Sequence, residues 1–170
     1  KLTNTGLASI ELDVEGKTAT ITLNAKDYKW SDGQPFTIDD YIFAIEAIGN
    51  KDYTGSRYND RYTNIVGMKD FHEGKTDSIS GVEKVDDYTV KLHFEKMLPS
   101  MQLAGGAIPA YTMPKHIFKD IPVKEWEQSE YVRGAKVVGL GAFTIESVVA
   151  GESVTLKANE YYYKGRPKLD

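Results

Sequence analysis

An α+β fold is predicted for this chain: antiparallel β-hairpins packed with several short helices. Two observations carry the β part. Ala8–Val14 and Thr18–Leu23 each alternate apolar and polar residues around a Glu15-Gly16 turn, and Phe143–Val149 and Ser153–Ala158 do the same around Ala150-Gly151. The third observation is helical. From Thr37 to Gly49 the apolar residues Ile38, Tyr41, Ile42, Ile45 and Ile48 recur at the spacing of one helix face.

The elements follow in order. The first hairpin spans Ala8–Leu23. The segment Lys29-Trp30-Ser31-Asp32-Gly33-Gln34-Pro35-Phe36 then leads through a tight turn into the helix. Asp32-Gly33 is turn chemistry, because aspartate bonds its own backbone and glycine takes a positive φ without steric cost. Thr37 is the predicted N-cap, with Asp40 three residues on to complete a capping box. Asp39 and Asp40 place negative charge where the helix dipole favours it. Gly49-Asn50 is expected to end the helix. Tyr53–Tyr62 reads as loop plus a short helix, and Met68–Glu73 as one or two helical turns ended by Gly74. Thr89–Phe94 is an alternating strand with Val90, Leu92 and Phe94 on one face. Short helices are expected at Pro99–Leu103, Pro114–Phe118 and Pro122–Glu127, with Pro122 in the first turn. The boundary is placed near residues 134–139, giving units 1–136 and 137–170.

Composition narrows the functional classes. The net charge is −4, so no strong basic field for nucleic acid exists. There are no cysteines, which removes disulfides, thiol catalysis and thiolate metal sites. No apolar run approaches the roughly 20 residues of a membrane helix. The opening Lys1-Leu2-Thr3-Asn4 has no signal-peptide pattern.

Candidate chemistry is sparse. His72, His93 and His116 stand apart in sequence with no second ligand nearby, and are read as structural or surface residues. The pairs Asp39-Asp40 and Asp86-Asp87 are explained by a helix cap and a turn. General acid/base catalysis needs carboxylates that converge in a cleft. No serine lies in a nucleophile elbow, and Ser31 reads as a backbone capper. Gly139-Leu140-Gly141 lacks the third glycine of a dinucleotide fingerprint and precedes a strand. No catalytic residue, cofactor or metal site is predicted. The densest aromatic and cationic cluster is Tyr53, Arg57, Tyr58, Asn59, Arg61 and Tyr62. It can be a solvated loop whose tyrosines cap the core, or a peptide-contacting surface. Tyr161-Tyr162-Tyr163 is expected to pack a hairpin end.

Four segments together resemble one known family. They are Trp30-Ser31-Asp32-Gly33 followed by Pro35-Phe36-Thr37 and Asp39-Asp40-Tyr41; Ile79–Val90; Val138-Gly139-Leu140-Gly141-Ala142-Phe143, similar to Gly-Thr-Gly-Pro-Tyr/Phe; and Asn159–Pro167, similar to Asn-x-x-Tyr-Trp-Lys-Gly-x-Pro. The resemblance is to the extracellular solute-binding proteins of peptide ABC importers, the oligopeptide- and dipeptide-binding family. Leu140, Ala142 and Tyr163 depart from its usual Thr, Pro and Trp. The resemblance implies part of the N-terminal lobe of a two-lobe periplasmic-binding-protein-like fold, excised from a longer protein. Residues 1–136 would be an insert-like subdomain, and residues 137–170 the start of the main ligand-binding subdomain.

It further implies capture of oligopeptides outside the cell, or in the periplasm, by a lipid-anchored or periplasmic protein. The partners would be the peptide, a membrane permease and the remaining lobe, with no nucleic acid and no cofactor. Residues implied near the ligand are Tyr58, Asn59, Arg61, Tyr62, Gly139, Leu140 and Gly141; which of Tyr58 and Tyr62 reaches it stays open at this point. Alternatives are a carrier of nickel, haem or dipeptide within the family, and, from other classes, a secreted hydrolase domain or a structural module.

Overall fold

The computed structural model describes residues 6–104, 106, 108–134 and 136–169. The chain forms two compact units, one of Lys1–Lys26 with Thr37–Lys115, the other of Asp27–Phe36 with His116–Asp170. This division differs from the sequence boundary at 134–139. Segment 27–36 belongs with the C-terminal unit because its hydrogen bonds and ring contacts go there.

In the first unit, β1 (Ala8–Asp13) and β2 (Thr18–Leu23) form the expected hairpin. β1 stops one residue short of Val14, where Gly16 donates to the Asp13 carboxylate at 2.9 Å. Next come α1 (Ile38–Gly49), α2 (Asp60–Thr63) and α3 (Met68–His72). The strands β3 (Val82–Lys84) and β4 (Thr89–His93) complete an antiparallel sheet in the order β1-β2-β4-β3. Register pairs Ala19 with Leu92 and Ile21 with Val90, so the alternating faces of β2 and β4 become one apolar surface. These residues are buried with Ile38, Tyr41, Ile45, Tyr62, Ile65 and Met68. The two-residue period of the strands and the 3.6-residue period of α1 thus meet in one core. Then follow α4 (Pro99–Ala104) and α5 (Lys115–Phe118), whose residues from His116 on belong to the second unit.

The start of α1 is built as the sequence predicts. The Asp40 carboxylate, only 4 % exposed, accepts from the Thr37 N–H at 3.0 Å and from the Lys115 N–H at 2.9 Å. The Ile38 N–H donates to the Asp87 carbonyl at 3.0 Å. Lys84 lies 2.9 Å from both Asp39 and Asp87, whose hydrogen bonds hold its ammonium pKa above the usual value. Asp86 accepts from the Tyr88 N–H at 2.7 Å. Both acidic pairs therefore serve caps, turns and two lysines, Lys84 and Lys115. The other end of α1 falls at Gly49-Asn50, as expected. Gly49 is the last helical residue, and Asn50 caps the helix with an extended backbone (ψ 141°). Gly49 is there for space: a Cβ would stand 2.5 Å from Met68 Sδ.

In the second unit, residues 28–36 make a miniature hairpin. Lys29 bridges Pro35, and Gly33 donates to the Trp30 carbonyl at 2.9 Å. Gly33 has the positive φ (86°) predicted for it. Trp30 is buried edge-on against Phe36, with ring centroids 5.5 Å apart. Tyr161 packs on Gly33, where an added Cβ would meet its hydroxyl at 3.2 Å. Tyr163 meets Tyr28 edge-on at 6.0 Å. The tyrosine run therefore packs the small 28–36 hairpin.

Val123–Gln128 is a 3-10 helix. Pro122 precedes it with an extended ψ of 137°, so it is the flanking residue and not part of the first turn. Trp126 of this helix and Tyr131 of α6 (Glu130–Arg133), a turn the sequence pattern left unassigned, both pack edge-on against Phe118. β5 (Phe143–Val149) and β6 (Ser153–Ala158) pair as expected, with a register shift between Ile145 and Ser147. Val148, Val154 and Leu156 of this pair are exposed.

Candidate functional site

Among the described residues each unit presents a groove. That of the first unit is built on α2. Asn59 caps this helix, its side-chain oxygen accepting from the Arg61 N–H at 3.1 Å, and this fixes where Arg61 and Tyr62 emerge. Asn59, Arg61 and Tyr62 line the groove together with Arg57, Asp60 and Tyr111, while Leu98, Ser100 and Gly106 come from the α4 region. Arg57 sits over the Tyr111 ring, 3.8 Å from its centroid. Such stacking holds a guanidinium in place while leaving its donors free.

Tyr62 is only 1 % exposed, and its hydroxyl has no hydrogen-bond partner among the described residues. Burial raises its phenol pKa well above the ordinary value, and Tyr111 adds to the rise; Arg57 and Arg61 act against it. Tyr58, two residues before the helix, goes elsewhere. Its ring stacks on His72 at 3.9 Å, and His72 Nδ1 lies 3.0 Å from the Gly49 carbonyl. The expected cluster therefore divides: Asn59, Arg61 and Tyr62 share a groove, and Tyr58 is spent on packing.

The second unit presents Ser31, Asp32, Gln34, His116, Val137, Val138 and Thr144 around its groove. Ser31 is the capper that the sequence suggested, though for a distant segment. Its Oγ accepts from the Gly139 N–H at 3.1 Å, and its own N–H donates to the Gly139 carbonyl at 3.0 Å. The Gly141 carbonyl accepts from the Asn159 side chain at 2.8 Å, and Asn159 is itself buried. The backbone polar groups named at Gly139 and Gly141 are thus engaged in holding the loop, and Leu140 between them is half-buried.

Sequence reasoning missed Tyr111 and the Asp32–His116 pair, which is 2.8 Å apart. The latter joins residues 84 positions apart, and no local spacing could have signalled it. His93 pairs with Glu83 at 2.8 Å across β3 and β4. Among the described residues no three His, Cys, Asp or Glu side chains form a group that could hold a metal ion. No helix among them is long and apolar enough to cross a membrane.

Comparison with known proteins adds a family. The model of bacterial extracellular solute-binding proteins, family 5 Middle, matches residues 4–170. The oligopeptide-binding protein OppA of Lactococcus lactis subsp. cremoris strain SK11 is 41% identical over 169 residues, covering 97% of this chain and 28% of that protein. Among solved structures, lactococcal OppA complexed with an endogenous peptide in the closed conformation superposes with a TM-score of 0.87 at 41% identity, over 97% of this chain and 31% of that one. AppA from Bacillus subtilis in complex with a nonapeptide gives 0.77 at 29% identity, over 97% and 29%. The chain thus spans less than a third of the length of these relatives.

Proposed function

The chain belongs to the bacterial extracellular solute-binding proteins, family 5, and from that membership we propose that it is part of an oligopeptide receptor feeding an ABC importer. The observation that carries this reading is the likeness, at 41% identity over nearly the whole chain, to a protein solved with a peptide bound. In this reading the chain is a large part of the first of two lobes, which close on the ligand by hinge motion. The closed receptor, lipid-anchored or free outside the membrane, then presents the peptide to the permease. The work is binding, with no catalytic step. Peptides of varied sequence are held through their backbone amides, with water filling the side-chain pockets.

Asn59, Arg61 and Tyr62 are the proposed ligand contacts of the first unit, and the loop Gly139–Gly141 those of the second. Two facts support a further lobe as partner. The relatives are much longer than this chain, and the β5–β6 hairpin leaves Val154, 58 % exposed, and Leu156 to be covered.

Ligand sites typically bury about 70–90% of the ligand surface. A single lobe gives up half of those contacts. Losing about 4 kcal/mol weakens binding roughly a thousandfold. The full-length protein, purified without added ligand, is expected to release co-purified peptides on denaturation, read by mass spectrometry. Calorimetry with a peptide pool should give clear heat for the full-length protein and little for residues 1–170. His93→Ala, at a residue that lines neither groove, should leave the heat unchanged. Release of a non-peptide ligand, or equal heats from fragment and whole, would sink the reading.

A further inference from the structure

The α2 groove has a chemical preference that a general peptide-backbone site does not need. Tyr62 is the buried residue among exposed rim residues, and its hydroxyl has no partner among the described residues. A buried polar group left unsatisfied destabilises a fold, so this hydroxyl is kept at a cost. Around it stand two guanidiniums. Arg57 is held over the Tyr111 ring, and Arg61 starts from a backbone fixed by Asn59. Neither guanidinium forms an ion pair among the described residues. Asp60 also lines the groove, so two positive charges face one negative charge.

Guanidinium can only donate hydrogen bonds, and a phenol beside it completes a donor set. The partner that fits such a set is an acceptor with several lone pairs and a negative charge. A carboxylate meets this requirement, and accepts from arginine in a bidentate fork. An ammonium would be repelled, and a neutral amide would turn one of its own donors toward the guanidiniums.

Resting on the peptide-receptor reading above, we propose that the Arg57–Arg61–Tyr62 groove is a carboxylate subsite that takes an acidic side chain of the bound peptide. The receptor then accepts varied peptides but favours glutamate or aspartate at the one position that reaches α2. The long arginine side chains on the rim reposition to admit the carboxylate, and the Tyr62 hydroxyl gains its missing partner.

The test uses the full-length protein and a peptide series in which glutamate replaces glutamine at each position in turn. At one position the glutamate peptide is expected to bind about tenfold more tightly. That ratio should collapse toward one in Arg57→Gln/Arg61→Gln, and fall severalfold in Tyr62→Phe. Circular dichroism melting checks that each variant is folded. Tyr62→Phe should melt no lower than the parent, since it removes an unpartnered hydroxyl. Absence of any glutamate preference, or a preference that survives the double variant, overturns the proposal. If no peptide of the series binds, the receptor reading is what fails. The subsite is then judged by titrating glutarate against its neutral diamide and following the Arg57 and Arg61 Nε resonances by NMR. Shifts with glutarate alone support it, and no shift overturns it.

Discussion

Single residues in this chain are specified by what approaches them. Gly33 is the sharpest case. Its φ of 86° lies in the left-handed region, and the Tyr161 hydroxyl sits 3.2 Å from where a Cβ would be. A side chain there meets backbone strain and a ring at once. Gly33→Ala should therefore lower stability by about 1 kcal/mol or more, read as a fall in denaturant midpoint at constant slope. An unchanged midpoint would show that the turn relaxes freely. Ser31, Asp32 and Gly33 thus have three separate duties: one holds Gly139, one pairs with His116, and one opens the turn. The tetrapeptide signature is structural before it is functional.

At the scale of elements, the balance between propensity and packing decides. Alanine is favoured over glycine in a helix by about 1 kcal/mol, so Gly49 at the end of α1 looks replaceable. However, the new Cβ would stand 2.5 Å from Sδ of Met68, a fully buried side chain on α3, and 3.2 Å from the Phe71 ring. Overpacking costs roughly 1–3 kcal/mol, and packing wins. Gly49→Ala should destabilise, and Gly49→Ala/Met68→Ala should show a coupling energy in a double-mutant cycle. Additive effects would mean that α1 and α3 do not press on each other there. The same contest explains Pro122. The ring suits a first helical turn, but the chain enters this 3-10 helix from an extended residue, and proline takes that place.

For the whole molecule, buried phenols set an alkaline limit. Tyr41 is buried and donates to the Pro109 carbonyl at 2.7 Å. Burial raises the pKa of both Tyr41 and Tyr62 well above the ordinary value, with the neighbouring Tyr62 adding to the rise at Tyr41. The sign follows from linkage. Above about pH 10 the unfolded chain loses these protons while the folded chain keeps them, so stability falls as pH rises. The expected slope is about 1.4 kcal/mol per pH unit for each such tyrosine. Denaturant midpoints measured between pH 9 and 11.5 should show it, and Tyr41→Phe should flatten the slope by one tyrosine's share. A pH-independent midpoint in Tyr41-containing protein would mean that these phenols reach water in the folded state.

Local chemistry was legible in the sequence wherever its causes are local. Both hairpins, the start of α1 at the Thr37 cap and the positive φ of Gly33 follow from periodicity, capping and turn preference over a few residues. The family followed as well, because its motifs are contiguous in the chain. What tertiary structure alone decided is where separated segments meet. It placed residues 27–36 with the C-terminal unit, bonded Ser31 to Gly139, and paired Asp32 with His116. It also separated Tyr58 from Tyr62, stacking the first on His72 and leaving the second in a groove beside Arg57, Arg61 and Tyr111. A tyrosine four residues from another carries the same local propensities. Tyr58 lies before α2 and Tyr62 within it, and which one buries an unpartnered hydroxyl is decided by contacts distant in sequence.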